Sequence, residues 1–111
     1  MKKVNILGTL YTIYFDTTDE KLPEGCDGCM DQSIHQIRIA KLESSRNSLR
    51  NLKEYKKKVL RHEIIHAFLY ESGLWNNSGD AKSWGWNEEI TDWIAIQSPK
   101  LFKAFKEADC L

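Results

Sequence analysis

Neither sign of charge dominates this chain: Lys and Arg number 16, and Asp and Glu also number 16. That balance gives no general argument for binding nucleic acid or a membrane surface. No apolar run is long enough to span a bilayer. The opening stretch MKKVNILGTLYTIYF sets two lysines before apolar residues. However, Asn5, Thr9, Thr12 and Tyr14 interrupt it, and no small-residue cleavage site follows. The expected setting is the cytoplasm. Cysteine is sparse and odd in number, at Cys26, Cys29 and Cys110, which argues against a disulfide framework and for reduced thiols. Methionine occurs only at Met1 and Met30. Internal repeats and low-complexity segments are lacking. The 111 residues are one domain's worth, 1–111, with a modest core.

What is present reads as α+β. Val4 to Phe15 is rich in β-branched and aromatic residues around Gly8, and suits one kinked strand or two short ones about a turn. Asp16 to Asp31, with Pro23, Gly25 and Gly28, reads as a loop. Ser33 to Ala40 reads as a half-buried strand, with Ile37 and Ile39 facing one way and Gln36 and Arg38 the other. A long helix follows, with Ser44, Ser45 and Ser48 as candidate N-caps and Gly73 as its stop. Its first half is basic, from Arg46 to Arg61. From Val59 to Tyr70 it is apolar on nearly every face, so it is expected to enter the core at about Val59. Leu74 to Trp86 is a turn-rich loop with three tryptophans, which suit either a cleft wall or the core. Asn87 can cap a helix to about Gln97. Ser98-Pro99 then suits the start of a last amphipathic helix, Lys100 to Ala108, packing Leu101, Phe102 and Phe105 onto the body.

The chemistry concentrates in RHEIIHAFLYESG, Arg61 to Gly73. His62 and His66 are four apart, so their side chains leave the same face of a helix and can aim at one point. A zinc ion takes such a pair. Glu63 lies roughly 100° round the helix from His62. It cannot easily join the same ligand set, but it can reach a water held by the metal, as the general base does in H-E-x-x-H metalloproteases. Two histidines can also be plain core residues. Against that stands a glutamate in the same apolar segment, expensive to bury without a partner.

A catalytic zinc site needs a third protein ligand and an open position. The pattern with a glycine and a third histidine just past the pair fails, because positions 69 and 72 hold Leu69 and Ser72 and no methionine is available for its turn. The stretch WNEEITDWIA, Trp86 to Ala95, offers a glutamate instead. Glu88 and Asp92 share a helix face. Glu88 can bind metal, and Asp92, one turn on, can accept a hydrogen bond from the outer nitrogen of a ligating histidine.

HEIIH followed by NEEITD resembles the gluzincin metallopeptidases, over roughly the half of the chain from Val59 to Ala95. It is also similar to the small phage and prophage metallopeptidases of the ImmA/IrrE type, whose Asn/Asp-x-Phe-Ala run reads here Asp92-Trp93-Ile94-Ala95, with Ile94 in place of phenylalanine. Thr91 stands where the gluzincins often have serine. The resemblance implies a minimal zincin-like fold: a small twisted sheet, a long active-site helix, a third-ligand helix and a C-terminal helix. It implies one Zn2+ ion held by His62, His66 and Glu88, with Glu63 as base and Asp92 orienting a histidine, His62 in the first instance. It further implies that the strand Ser33 to Ala40 presents an edge to an extended peptide. The function expected is hydrolysis of a restricted protein target, such as a phage or prophage regulator. A silent zinc module acting through protein or DNA contacts is the alternative, as is a metal-free helical scaffold. A binding module has no need of Glu63.

Other residues carry less. Tyr70, one turn past His66, and His35, on the candidate edge strand, are the candidates for oxyanion or substrate contact, although packing explains both. Cys26 and Cys29 form one CxxC, whose only further thiol is distant Cys110, so a plain loop with two thiols is the expectation. The basic run is read as a solvated helix face rather than a nucleic-acid footprint.

Overall fold

The computed structural model describes residues 1–43, 51–77 and 85–111. Among the described residues the architecture is α+β, with a four-stranded mixed sheet and three α-helices. The strands are β1 (Lys2–Ile6), β2 (Thr9–Thr17), β3 (Gly28–Asp31) and β4 (Gln36–Ala40), in the spatial order β1-β2-β4-β3. The helices are α1 (Leu52–Glu71), α2 (Leu74–Asn77) and α3 (Glu88–Glu107). None is long and apolar enough to cross a membrane.

The first segment resolves into two strands. Leu7 and Gly8 both take positive φ, 51° and 95°, and Ile6 pairs with Thr9 across this two-residue turn. Both central residues left-handed is the mirror-image turn that matches strand twist, and Gly8 tolerates it without strain. β2 then pairs in parallel with β4, and β4 pairs antiparallel with β3. Ile6, Tyr11, Ile13, Ile37 and Ile39 form the buried face.

Two sequence expectations about this sheet are corrected. The region read as a loop from Asp16 to Asp31 contains β3, whose register is Cys29 with Arg38 and Met30 with Ile37. Cross-strand pairing overrides the poor strand propensity of Gly28 and Asp31. The strand read from Ser33 starts only at Gln36. Asp31 accepts hydrogen bonds from the Ser33 backbone N–H and hydroxyl, at 2.9 and 2.5 Å, and His35 takes φ 53°, which closes a turn. β4 therefore has a neighbour on each side and offers no edge. The free edge on that side is β3.

α1 begins after Asn51, whose side chain accepts from the Glu54 N–H at 3.2 Å. The serines read as N-caps lie outside the described residues. Gly73, at φ 86°, follows its end. α1 buries one stripe, Val59, Glu63, His66 and Ala67, rather than the whole apolar half. Phe68 stays 42% exposed. The spacing of four, three and one is that of a helix lying along a sheet.

α3 corrects the two-helix expectation. It runs through Pro99 without a break. Its Lys100–Glu107 end does not pack as read, since Phe102 is 55% exposed and only Leu101 is partly covered.

Candidate metal centre

α1 crosses the sheet and α3 crosses α1. Three cross-links fix that second crossing. Lys58 Nζ and His62 Nδ1 each lie 3.2 Å from the same Asp92 oxygen, and Arg61 Nε donates to the Ala95 carbonyl at 2.6 Å. At the start of α3, Asn87 accepts from the Ile90 N–H at 2.9 Å. The buried Thr91 hydroxyl donates to the Asn87 carbonyl at 2.9 Å. This capped first turn presents Glu88 to α1.

There, three donor groups converge. His62 Nε2 and His66 Nε2 are 3.1 Å apart. Glu88 Oε2 lies 3.2 Å from His62 Nε2, and its Oε1 lies 2.5 Å from His66 Nε2. A tetrahedral zinc with bonds of 2.0–2.1 Å sets its donors about 3.3 Å apart, so the nitrogen pair already has the needed spacing. With the Nδ1 proton of His62 directed to Asp92, its Nε2 carries a lone pair toward the other two groups. Converging lone pairs repel unless a cation or proton stands between them. Among the described residues, the group able to hold a metal ion is His62, His66 and Glu88. Burial lowers the pKa of His66, against the pull of Glu88, and so favours the neutral imidazole that metals bind. At Asp92 burial works upward, but the hydrogen bonds from Lys58 and His62 prevail and hold its carboxyl below the usual range.

Glu63 is 8% exposed and has no hydrogen-bond or ion-pair partner among the described residues. Burial is the main cause that raises its pKa to about 7, partly offset by His62 and reinforced by Glu88. Over it lies Gly28, the first residue of β3. A Cβ placed there would sit 2.9 Å from Val59 Cγ1 and 3.2 Å from Glu63 Cγ. The edge strand comes this close to α1 because position 28 has no side chain. Its only sign in the sequence is generic, a glycine inside a turn-rich stretch.

Two clefts meet at Gly28, Glu63 and Glu88. The first, about 210 Å³, is bordered by Asp27, Tyr55, Lys58 and Asp92. The Tyr55 hydroxyl donates to Asp27 and so ties the approach to β3 down onto α1. The second, about 240 Å³, is bordered by Met30, His66, Trp75 and Trp86. Trp86 Nε1 donates to the Trp75 carbonyl at 2.7 Å, and the two rings are 4.2 Å apart. Trp75 also stands 5.9 Å from the His66 ring. Two tryptophans of the 74–86 stretch are thus cleft walls, while Trp84 lies outside the described residues.

The remaining candidates fall elsewhere. Tyr70 packs behind Trp75, 6.0 Å between ring centres. His35 sits against the Tyr11 ring, 5.4 Å away, at the turn end of β3 rather than at Gly28. Cys26 borders the first cleft and Cys29 the second, but the three thiols are free and belong to no metal-holding group among the described residues. Lys56, Lys57 and Lys58 each pair with a carboxylate, respectively Asp16, Glu54 and Asp92. Compared with protein-family models, curated sequences and solved structures, the chain matches none.

Proposed function

We propose that the chain is a zinc-dependent metallopeptidase of minimal zincin-like fold, acting on a restricted protein target. The reading is carried by one observation: two imidazole nitrogens and a carboxylate converge beside a buried glutamate with no hydrogen-bond or ion-pair partner among the described residues. His62, His66 and Glu88 would hold the ion. When bound, zinc supplies Lewis acidity to the scissile carbonyl and to an attacking water. Glu63 takes the proton of that water and delivers it to the leaving amine. Burial, which keeps its affinity for protons high, suits a group that must do both. Asp92 holds the His62 ring so that Nε2 faces the ion. The free edge of β3 can receive an extended peptide through backbone hydrogen bonds. The target is in keeping with a phage or prophage regulator, through the resemblance of HEIIH and NEEITD alone.

The reading as a silent module that contacts DNA would rest on Lys56, Lys57 and Lys58, each of which pairs with a carboxylate here. The test uses metal-stripped protein titrated with zinc and then incubated with a peptide mixture. The wild type should bind one zinc and cleave. Glu63→Gln should bind zinc and not cleave, while His66→Ala and Glu88→Ala should lose the metal. Wild type that takes up no zinc, or Glu63→Gln that cleaves as the wild type does, sinks the reading.

A further inference from the structure

The two clefts lie in sequence along β3, and that fixes a direction. The residues bordering the first, Cys26 and Asp27, precede Gly28. Those bordering the second, Cys29 and Met30, follow it. The histidines keep the same order along α1, with His62 at the first cleft and His66 at the second. A peptide added antiparallel to β3, the better-bonded pairing, runs against the direction from residue 26 to residue 30. Its amino-terminal part then lies in the second cleft and its carboxyl-terminal part in the first.

The clefts differ in chemistry. Apart from Gly28, Glu63, Glu88 and His62, the first is bordered by Asp27, Lys58 and Asp92 together with Cys26, Tyr55 and Val59. Apart from Gly28, Glu63, Glu88 and His66, the second is bordered by Cys29, Met30, Trp75 and Trp86, with the tryptophans held by their ring contact and by the Trp86-to-Trp75 hydrogen bond. A cavity of roughly 150 Å³ suffices for a benzene ring, and this one is about 240 Å³. Methionine and tryptophan both make favourable contacts with an aromatic ring.

Building on the metallopeptidase reading, we infer that the Met30–Trp75–Trp86 cleft receives a large apolar or aromatic side chain from the residue on the amino side of the scissile bond. The charged Asp27 cleft takes the carboxyl side.

The experiment uses chelating probes, whose binding is independent of cleavage. In the hydroxamate of N-acetyl-phenylalanine the ring lies on the amino side of the chelating group. In benzylsuccinyl hydroxamate it lies on the carboxyl side. N-acetyl-glycine hydroxamate has no ring. Titrated into zinc-loaded wild-type protein, the phenylalanine probe should bind at least tenfold tighter than the glycine probe, and the benzylsuccinyl probe should gain less. Trp75→Ala should remove the phenylalanine probe's advantage over the glycine probe, both probes being measured in the variant. If that variant does not fold, the wild-type comparison decides alone. Equal affinity for the first two probes, or a larger gain for the benzylsuccinyl probe, overturns the inference. The ring preference found in a protein that cuts no peptide would sink the peptidase reading and leave the cleft assignment standing. Failure to bind zinc would bring down both.

Discussion

Arg61 Nε donates to the main-chain carbonyl of Ala95 at 2.6 Å, and Ala95 is the residue whose helical partner would be the N–H of position 99. Position 99 is proline, which has no N–H. A side chain from α1 thus occupies the acceptor that lets α3 continue through Pro99. It does so one residue before His62, which ties the course of α3 to the candidate metal centre.

Replacing Arg61 by Met should cost about 1–3 kcal/mol, because it strands a buried carbonyl. The cost should shrink in a Pro99→Ala background, where an N–H at position 99 can take up that carbonyl. Urea unfolding of the four proteins in this cycle measures the coupling. Simple additivity of the two substitutions would mean that Arg61 does not act as the substitute donor.

Asp92→Ala should weaken zinc binding by roughly 10- to 100-fold, the usual effect of removing the group that orients a ligating histidine. Competition against a chelator of known affinity reads this directly. A circular-dichroism melt of the variant separates this from loosening of the α1–α3 crossing, where Arg61 on the Ala95 carbonyl remains. An unchanged zinc affinity would show that His62 is oriented without it.

Glu63 imposes a pH dependence on the metal-free protein. Its carboxyl rises from an ordinary 4.5 to about 7 in the fold, so between these values the native state holds more protons than the unfolded chain. Its contribution to stability is therefore greatest below about pH 4.5 and declines as pH rises through 7, by roughly 3 kcal/mol. Glu63→Gln should lack that decline. The difference between the two proteins in chelator, from pH 4.5 to 8, isolates the effect from other titrating groups. A difference that is flat or of opposite slope counts against burial as what governs Glu63.

Gly28→Ala should destabilise by about 1–3 kcal/mol, through overpacking against Val59 and Glu63. Adding Val59→Ala removes the nearer clash, at 2.9 Å, and should make the glycine substitution less costly. Thermal melts of the single and double variants test this. If Gly28→Ala costs the same in both backgrounds, β3 is not held off by Val59.

The metal cluster was legible where its logic is local. His62 and His66 meet because four residues make about one helical turn, and Asp92 stands one turn beyond Glu88 on the same face. That these two faces turn toward each other depends on Lys58 and Arg61, which in sequence are only two members of a basic run. β3 was illegible because four residues, Gly-Cys-Met-Asp, show no alternation, and pairing with β4 alone makes them a strand. Ser98-Pro99 misled for a similar reason. The local signal for a helix start is real, but a distant guanidinium overrides it.

The sheet guards its two borders unequally. β1 carries exposed Lys2 and Lys3, charges that discourage a further strand from joining. β3 carries no lysine and ends in Asp31. A border open to a foreign polypeptide would be open to a second copy of the same molecule as well. Concentrated protein should then compete with peptide for β3, and any self-association should weaken when a peptide is added.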